Sequence, residues 1–351
     1  MGGNIFLDTI RLGKYQYQEI SNEVLTKLRL NNLHGRTIPA ISGKDDFGDC
    51  DIIIGHNDYQ KAALLLPTIF DGCEISRNKN VISILYKQFQ IDLIFIPIMY
   101  LEYCYAYLAF NDLGNLAGRI AHNLGFKHGQ YGLTYVMREP NNNNNVIDEI
   151  IVTLDVFEAM YFLGFNSHLF HKAIKPVSKN HEQQIFVNIT DVFKFVIHNP
   201  YFKKDFYPLE HRNHIARMRD RKRKTYMQFL RFIQEINIPW EQPTIPSKDV
   251  MLYKAFQMFP DFEKRYNKSI EKFNRVKKIK QLYNGHLVSE ITGLKHKELG
   301  RFMAYLNQHH IYPLVNNSNS NSNSENDNKD HFTIIKHFYH TYCEENFNDK
   351  I

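Results

Sequence analysis

The stretch SGKDDFGDCDIII, residues 42–54, sets four aspartates within seven residues and then runs straight into isoleucines. Paired carboxylates repel each other and resist desolvation. A fold therefore seldom holds Asp49 and Asp51 against a buried strand without a cation or strong hydrogen-bond donors. If 49–55 is a strand, the two side chains project to one face, because strand side chains alternate with period two. A second apolar run, QIDLIFIP at 90–97, carries a single charge, Asp92. Three carboxylates on adjacent strands would make an all-oxygen site suited to Mg²⁺, shared with substrate phosphates. Gly48, just before the pair, would let a phosphate approach the backbone, and Ser42, Gly43 and Lys44 could supply donors and positive charge. Asp45 and Asp46 fall outside that geometry and read as loop residues.

Working outward, QEISNEVLTKLRL (18–30) spaces Ile20, Val24, Leu25 and Leu28 at helical intervals behind Ser21, which reads as a cap. Strands are expected at 50–55, 81–86 and 89–97, the last two joined as a hairpin through Lys87-Gln88. Residues 58–70 read as a helix broken near Pro67. Another helix is expected toward 126, and the asparagine run at 141–145 reads as a loop. A short strand and a buried helix follow from 150. Beyond about 165 the period is helical, with segments at 186–198, 211–235, 250–258, 261–282 and 287–310. Pro239, Pro243 and Pro246 read as a linker, and NNSNSNSNSENDN (316–328) as a disordered loop.

The 351 residues are 43% apolar and 14% aromatic, which excludes a disordered chain and suffices for two or three domains. No segment reads as a signal peptide or as an apolar membrane span, so a soluble protein is expected, cytoplasmic and without a membrane partner. The four cysteines lack CxxC spacing and read as reduced thiols. The histidines, His296, His309 and His310 included, offer no metal-ligand spacing. Charge is unevenly placed: residues 201–280 hold 20 Lys/Arg against 9 Asp/Glu, a net +11 in a chain of +6, leaving −5 elsewhere. Such asymmetry points to a polyanionic partner for the second half. Arg212, Arg217, Arg219, Arg221, Lys222, Arg223 and Lys224 lie on one expected helix, with Arg217, Arg221 and Lys224 on one face and Ile215, Met218, Met227 and Leu230 on another. Lys277, Lys278 and Lys280 add to the basic stretch. RDRKRK also reads as a nuclear-localisation motif, which leaves a nuclear location open.

FGDCDIII followed by QIDLIFIP resembles the palm of the DNA polymerase beta-like nucleotidyltransferase superfamily, whose signature is GDxD or SDxD plus a third aspartate on a later strand. AYLAFNDLGNLAGRIAHNLGFKHGQYGL (106–133) is similar to the family X polymerase pattern, and IVTLDVFEAMYFLGF (151–165) resembles the segment that ends in "LG" there. LYNGHLVSEITGLKHKELGRFMAYLNQ (282–308) is similar to a C-terminal helical element of CCA-adding enzymes and poly(A) polymerases, with Gly285, Gly293 and Gly300 at the matching turns. The asparagine tracts and the opening MGGNIF suggest a virus- or phage-encoded member. The resemblance implies Asp49, Asp51 and Asp92 as ligands of two Mg²⁺ ions, replaceable by Mn²⁺, with Asp92 favouring deprotonation of a 3′-hydroxyl. Asn111, Asn115 and Arg119 fall where the family places nucleotide-facing residues. The family's Gly-Ser pair is absent from its usual place, where Ser42-Gly43 stands in reversed order and closer to the first aspartate.

These readings lead to an α+β fold: a small mixed palm sheet flanked by helices, then a mostly helical C-terminal region. The expected division is a catalytic region over 1–165, a basic helical region over 166–310, an Asn/Ser-rich loop over 311–330 and a helix or tail over 331–351. The expected activity is Mg²⁺-dependent transfer of a nucleoside monophosphate from an NTP or dNTP to the 3′ end of a nucleic acid, tRNA-like RNA in the first place. A family-X-type DNA polymerase for gap repair and an inactive palm serving as a nucleic-acid-binding scaffold are the alternatives.

Overall fold

The strand DCDIIIG at Asp49–Gly55 forms because its alternate residues Cys50, Ile52 and Ile54 are all fully buried on one face. The computed structural model describes residues 5–139, 142–175, 185–236, 244–311, 313 and 331–347. The protein is α+β. Its packing separates two units, Met1–Glu263 and Lys264–Ile351. The boundary between them falls inside the helical region expected over 166–310, so that region is divided between the two.

In the first unit, β1 (Leu12–Gly13) leads into α1 (Lys14–Leu30), β2 (Gly35–Thr37), β3 (Asp46–Phe47), β4 (Asp49–Gly55) and α2 (Tyr59–Ile69). Strands β5 (Glu74–Asn78), β6 (Val81–Tyr86) and β7 (Phe89–Ile96) complete a five-stranded sheet of order β2-β4-β7-β6-β5. Only the central pair, β4 and β7, is parallel; the other neighbours are antiparallel. The β6–β7 hairpin turns on Lys87 and Gln88, both in the left-handed region at φ 49° and 60°, as a tight two-residue turn between right-twisted strands requires.

One face of this sheet is a full hydrophobic core, in which Val24 and Leu28 of α1 and Ala62 and Leu66 of α2 cover Cys50, Ile52, Ile54, Ile91, Leu93 and Phe95. On the other face α3 (Leu101–Leu108) packs Cys104 against Ile53 and Ile96 in a smaller buried cluster, flanked by half-buried residues such as Ile38, Ile94 and Leu108. The residues that precede these on the same face are Asp49, Asp51, Gln90 and Asp92. One sheet face thus changes along its length from apolar and covered to acidic.

Two local expectations are corrected here. Ser21 is no cap: α1 begins at Lys14, and the buried Ser21 hydroxyl donates back to Gln18 O at 3.1 Å. Nor does Pro67 break α2. A proline lacks the N–H that would bond the carbonyl four residues earlier. That carbonyl, of Ala63, instead accepts from Arg77 of β5 at 2.8 Å, and the helix runs on to Ile69.

Helix α4 (Leu113–Asn123) leads to a three-stranded antiparallel sheet, β8 (Phe126–Gly129), β9 (Gly132–Glu139) and β10 (Asn142–Thr153). The asparagine run expected as a loop is extended from Asn142 on, since β9 supplies backbone partners, although the register shifts between Asn142 and Val146. Asn141 lies outside the described residues. Helices α5 (Val156–Phe162), α6 (Ser167–Ile174), α7 (Ile189–Ile197), α8 (His214–Arg221), α9 (Lys224–Glu235) and α10 (Lys248–Met258) follow.

The single basic helix expected over 211–235 is two helices. The chain is extended at Arg223 (φ −86°, ψ 108°), between α8 and α9. Arg217, Arg221 and Lys224 therefore do not share one helical face. The apolar line expected beside them is not core either, for Ile215 is 81% exposed. What α8 buries is Asp220.

Helix α11 (Pro260–Leu282) runs from the first unit into the second, which adds α12 (Gly285–Thr292), α13 (His296–Leu306) and α14 (His331–Phe347). Of the glycines expected at turns, Gly293 is one, in the left-handed conformation (φ 74°) that ends α12. Gly285 opens α12 behind the Asn284 cap, and Gly300 lies inside α13. The core of this unit is Ile279, Val288, Phe302, Leu306 and Ile335. The Tyr283 hydroxyl lies 2.8 Å from both His310 Nε2 and His331 Nδ1. Pro239, Pro243 and the tract 316–328 lie outside the described residues, and Pro246 precedes α10. Among the described residues no helix is long and apolar enough to cross a membrane.

Candidate metal centre and its cleft

Parallel pairing of β4 with β7 sets Asp51 directly opposite Asp92 and Asp49 opposite Gln90. One carboxylate oxygen from each of Asp49, Asp51 and Asp92 comes within 4.8 Å of the others, the only such acidic or thiol/imidazole group among the described residues. Burial pushes Asp51 up to about 7, and the charges of Asp49 and Asp92 add to the rise. Asp49 is raised for the same reasons, burial first and Asp92 next, while Lys44 pulls it down. Cys50 between them points to the opposite face, where burial pushes its thiol up to about 12; its sulfur lies 3.6 Å from the Tyr17 hydroxyl. It is a core residue, and all four cysteines are free.

The donor set tests whether a metal fits. Burial and neighbouring carboxylate charge hold protons on Asp49 and Asp51, which leaves the cluster short of positive charge, and a hard divalent cation with oxygen preference would supply it. The buried Gln90 fixes the third member: its Nε2 donates to the two oxygens of Asp92 at 2.9 and 3.0 Å, and its Oε1 accepts from Ile5 N–H at 3.0 Å. Sequence reasoning passed over Gln90. The signal was its place two residues before Asp92, on the same strand face.

Asp49 and Asp51 open into a cleft of about 820 Å³, also lined by Arg11, Lys44, Gly48, Asn111, Asp112, Arg219, Lys222, Arg223, Lys224, Thr225 and Gln228. The acidic sheet end thus faces the α8–α9 break. Lys44 Nζ lies 4.5 Å above the Phe47 ring, and burial lowers its pKa against the opposing pull of Asp49 and Asp51. Asn111, at φ 62°, lines the cleft. Neither the protein-family models nor the curated proteins include a match to this chain. The site therefore rests on its own residues.

Several expected residues are placed elsewhere. Ser42 and Gly43 do not line the cleft: their amides donate to Phe186 O and Val187 O at 2.9 and 2.8 Å, and the Ser42 hydroxyl donates to Phe186 O. A side chain at Gly43 would meet Val187 O at 2.6 Å, so the glycine serves this close strand-like approach. Arg119 Nε donates to Phe206 O at 2.9 Å, away from the cleft lining. Arg212 is buried and paired with Asp220, with the Tyr226 hydroxyl accepting at 3.2 Å. Arg217 and Arg221 do not line the cleft. Lys277, Lys278 and Lys280 are exposed on α11 in the second unit.

Two acids that sequence reasoning passed over organise the basic wall. Asp220, fully buried, pairs with Arg212, with Arg219 at 3.1 Å and with Arg223 at 3.9 Å. Asp112, at the start of α4, pairs with Arg223. Asn115 joins them, accepting from Arg219 at 3.3 Å and donating to Asp220 at 3.4 Å.

The raised carboxylate makes a prediction about stability. A carboxyl whose folded pKa lies above its unfolded one stabilises fully only below the unfolded value, near 4, and that contribution is lost as pH rises through about 7. Without divalent cation the first unit should therefore lose stability across this window, and Mg²⁺ or Mn²⁺ should restore it. The gap in Tm between cation-saturated and chelator-treated protein should widen from pH 5 to pH 8, by about 5 °C or more. Groups far from the site, such as His128, whose burial holds its imidazole down at about 4, affect both curves alike. A gap that is constant or narrows with pH would exclude a cation at the three aspartates.

Proposed function

We propose that the protein is a Mg²⁺-dependent nucleotidyltransferase that moves a nucleoside monophosphate from an NTP or dNTP to the 3′-hydroxyl of a nucleic acid. The observation that carries this reading is one cleft with two unlike walls: Asp49 and Asp51, which cluster with Asp92 on the adjacent strand, and the cations of the α8–α9 break opposite them. A divalent ion held by Asp49, Asp51 and Asp92 would neutralise phosphate charge and make the attacking hydroxyl easier to deprotonate. The chain's own part is positioning and charge. Gln90 orients Asp92 by donating to its oxygens, and Gly48, which lines the cleft, would let a phosphate group approach the backbone beside Asp49. The basic wall meets the anionic substrate, and its fixed charges need no rearrangement as the leaving group departs. Arg217 and Arg221, outside the cleft, would track the acceptor backbone without reading sequence. RNA of tRNA type is the acceptor favoured, on the likeness of residues 282–308 to the tail of CCA-adding enzymes.

Purified protein, Mg²⁺ and each labelled NTP or dNTP, offered tRNA lacking its 3′ end, single-stranded RNA or gapped DNA, tests the reading. Untemplated addition to RNA is the expected result. Addition confined to dNTPs on gapped DNA would make it a repair polymerase. No incorporation on any acceptor would overturn the enzymatic reading in favour of a binding scaffold.

A further inference from the structure

The nucleotidyltransferase reading requires a grip on the substrate's polyphosphate, and Ser42 and Gly43 have their amides engaged elsewhere. The opposite wall offers one. Lys222, Arg223 and Lys224 are three consecutive cations that line the same cleft as Asp49 and Asp51. The side chains of Lys222 and Lys224 are exposed and enter no ion pair among the described residues. Arg223 is held differently: its guanidinium pairs with Asp112, whose side chain is 7% exposed, while the Arg223 side chain itself is 41% exposed. Its Nε also lies 3.9 Å from the buried Asp220, and the side chain held between these two acids lines the cleft. The backbone at Arg223 is extended and α9 has no side-chain cap, so the first-turn amides add to the positive end of a twelve-residue helix.

We propose that the polyphosphate tail of a nucleoside triphosphate docks on Lys222, Arg223 and Lys224 at the α8–α9 break, with Asp112 as the positioning residue that keeps the Arg223 guanidinium in the cleft. The inference rests on the nucleotidyltransferase reading. Two features favour a polyphosphate over a nucleic-acid strand here. The three cations share their cleft with Asp49 and Asp51, the carboxylates beside which the reacting phosphate must lie. Three adjacent cations also match charge concentrated on linked phosphates, whereas a strand spreads one charge over each nucleotide.

The test is equilibrium binding of a fluorescent nucleoside triphosphate and of the matching monophosphate in Mg²⁺, with steady-state kinetics alongside. Lys222→Gln and Arg223→Gln should each weaken triphosphate binding by about ten- to a hundredfold and monophosphate binding by less than about threefold. Asp112→Asn should raise KM for the triphosphate more than it lowers kcat, Asp112→Glu should recover part of the loss, and Asp112→Asn added to Arg223→Gln should bring no further loss. Lys222 is exposed, so its arm does not depend on whether the Asp112 variants fold. Equal losses for both nucleotides, unchanged binding in the lysine and Arg223 variants, or additive effects of Asp112 and Arg223 would overturn the assignment. Failure of the parent protein to bind either nucleotide or to incorporate any would instead overturn the nucleotidyltransferase reading beneath it.

Discussion

Asp51→Asn should lower nucleotide incorporation by about a thousandfold or more while making the metal-free protein more stable at pH 8. The two effects share one cause. Asp51 lies on the strand face between Asp49 and Asp92, and burial with two like charges raises its pKa to about 7. Holding it ionised above that pH costs folding free energy, and an asparagine of nearly the same volume removes the charge without opening a cavity. The same change removes an anionic ligand from the proposed cation-binding set, so the Mg²⁺-dependent rise in Tm should shrink with the activity. Functional groups that are bad for stability are expected at sites whose purpose is to bind a charged ligand. Incorporation within about threefold of the parent, or a metal-free Tm below the parent's at pH 8, would show that Asp51 is not a ligand.

The second large effect lies outside the acidic cluster. Asp220→Asn should destabilise the first unit by about 3–5 kcal/mol, measured as a lowered midpoint of its urea transition. Asp220 is wholly buried, and its removal leaves the buried Arg212 guanidinium with the Tyr226 hydroxyl as its remaining described partner, while Arg212 Nε has none already. Replacing both members, Arg212→Met with Asp220→Leu, should recover most of the loss, since an apolar pair avoids an uncompensated charge. A single-variant loss below about 1 kcal/mol would mean that Arg212 finds water or another partner, and the network would not be what sets the α8–α9 break.

Much of the sheet was legible because its strands obey a simple alternation. Asp49, Asp51 and the isoleucines after them define two faces by their spacing alone, and Asp92 stands out as the one charge in its run. Strand β5 was missed because EISRN is exposed or half-buried throughout, as suits an edge strand held by backbone pairing and by Arg77. Extension of the asparagine run from Asn142 was missed because β9, and not side-chain preference, enforces it. The break at Arg223 was missed because neither glycine nor proline marks it, and one of the two buried acids that hold Arg223, Asp112, lies 111 residues away in sequence. For the same reason Lys222, Arg223 and Lys224 read as a separate nucleic-acid surface, when the fold returns them to the aspartates. The neighbours of Ser42 and Gly43 lie more than 140 residues away, at Phe186 and Val187, beyond the reach of local pattern.

The pairing of Asp51 with Asp92 has a consequence for how the sheet is assembled. Parallel strands have no short turn to dictate their alignment; about 33 residues of intervening chain can accommodate several. A slip of one residue would turn Asp92 into the hydrophobic layer beneath α1 and α2, and a slip of two would carry it about 7 Å along the strand, out of reach of a shared ion. Only one alignment gathers all three carboxylates. Cation binding would thus proofread the register of β4 against β7, favouring the correctly zippered sheet over its shifted competitors.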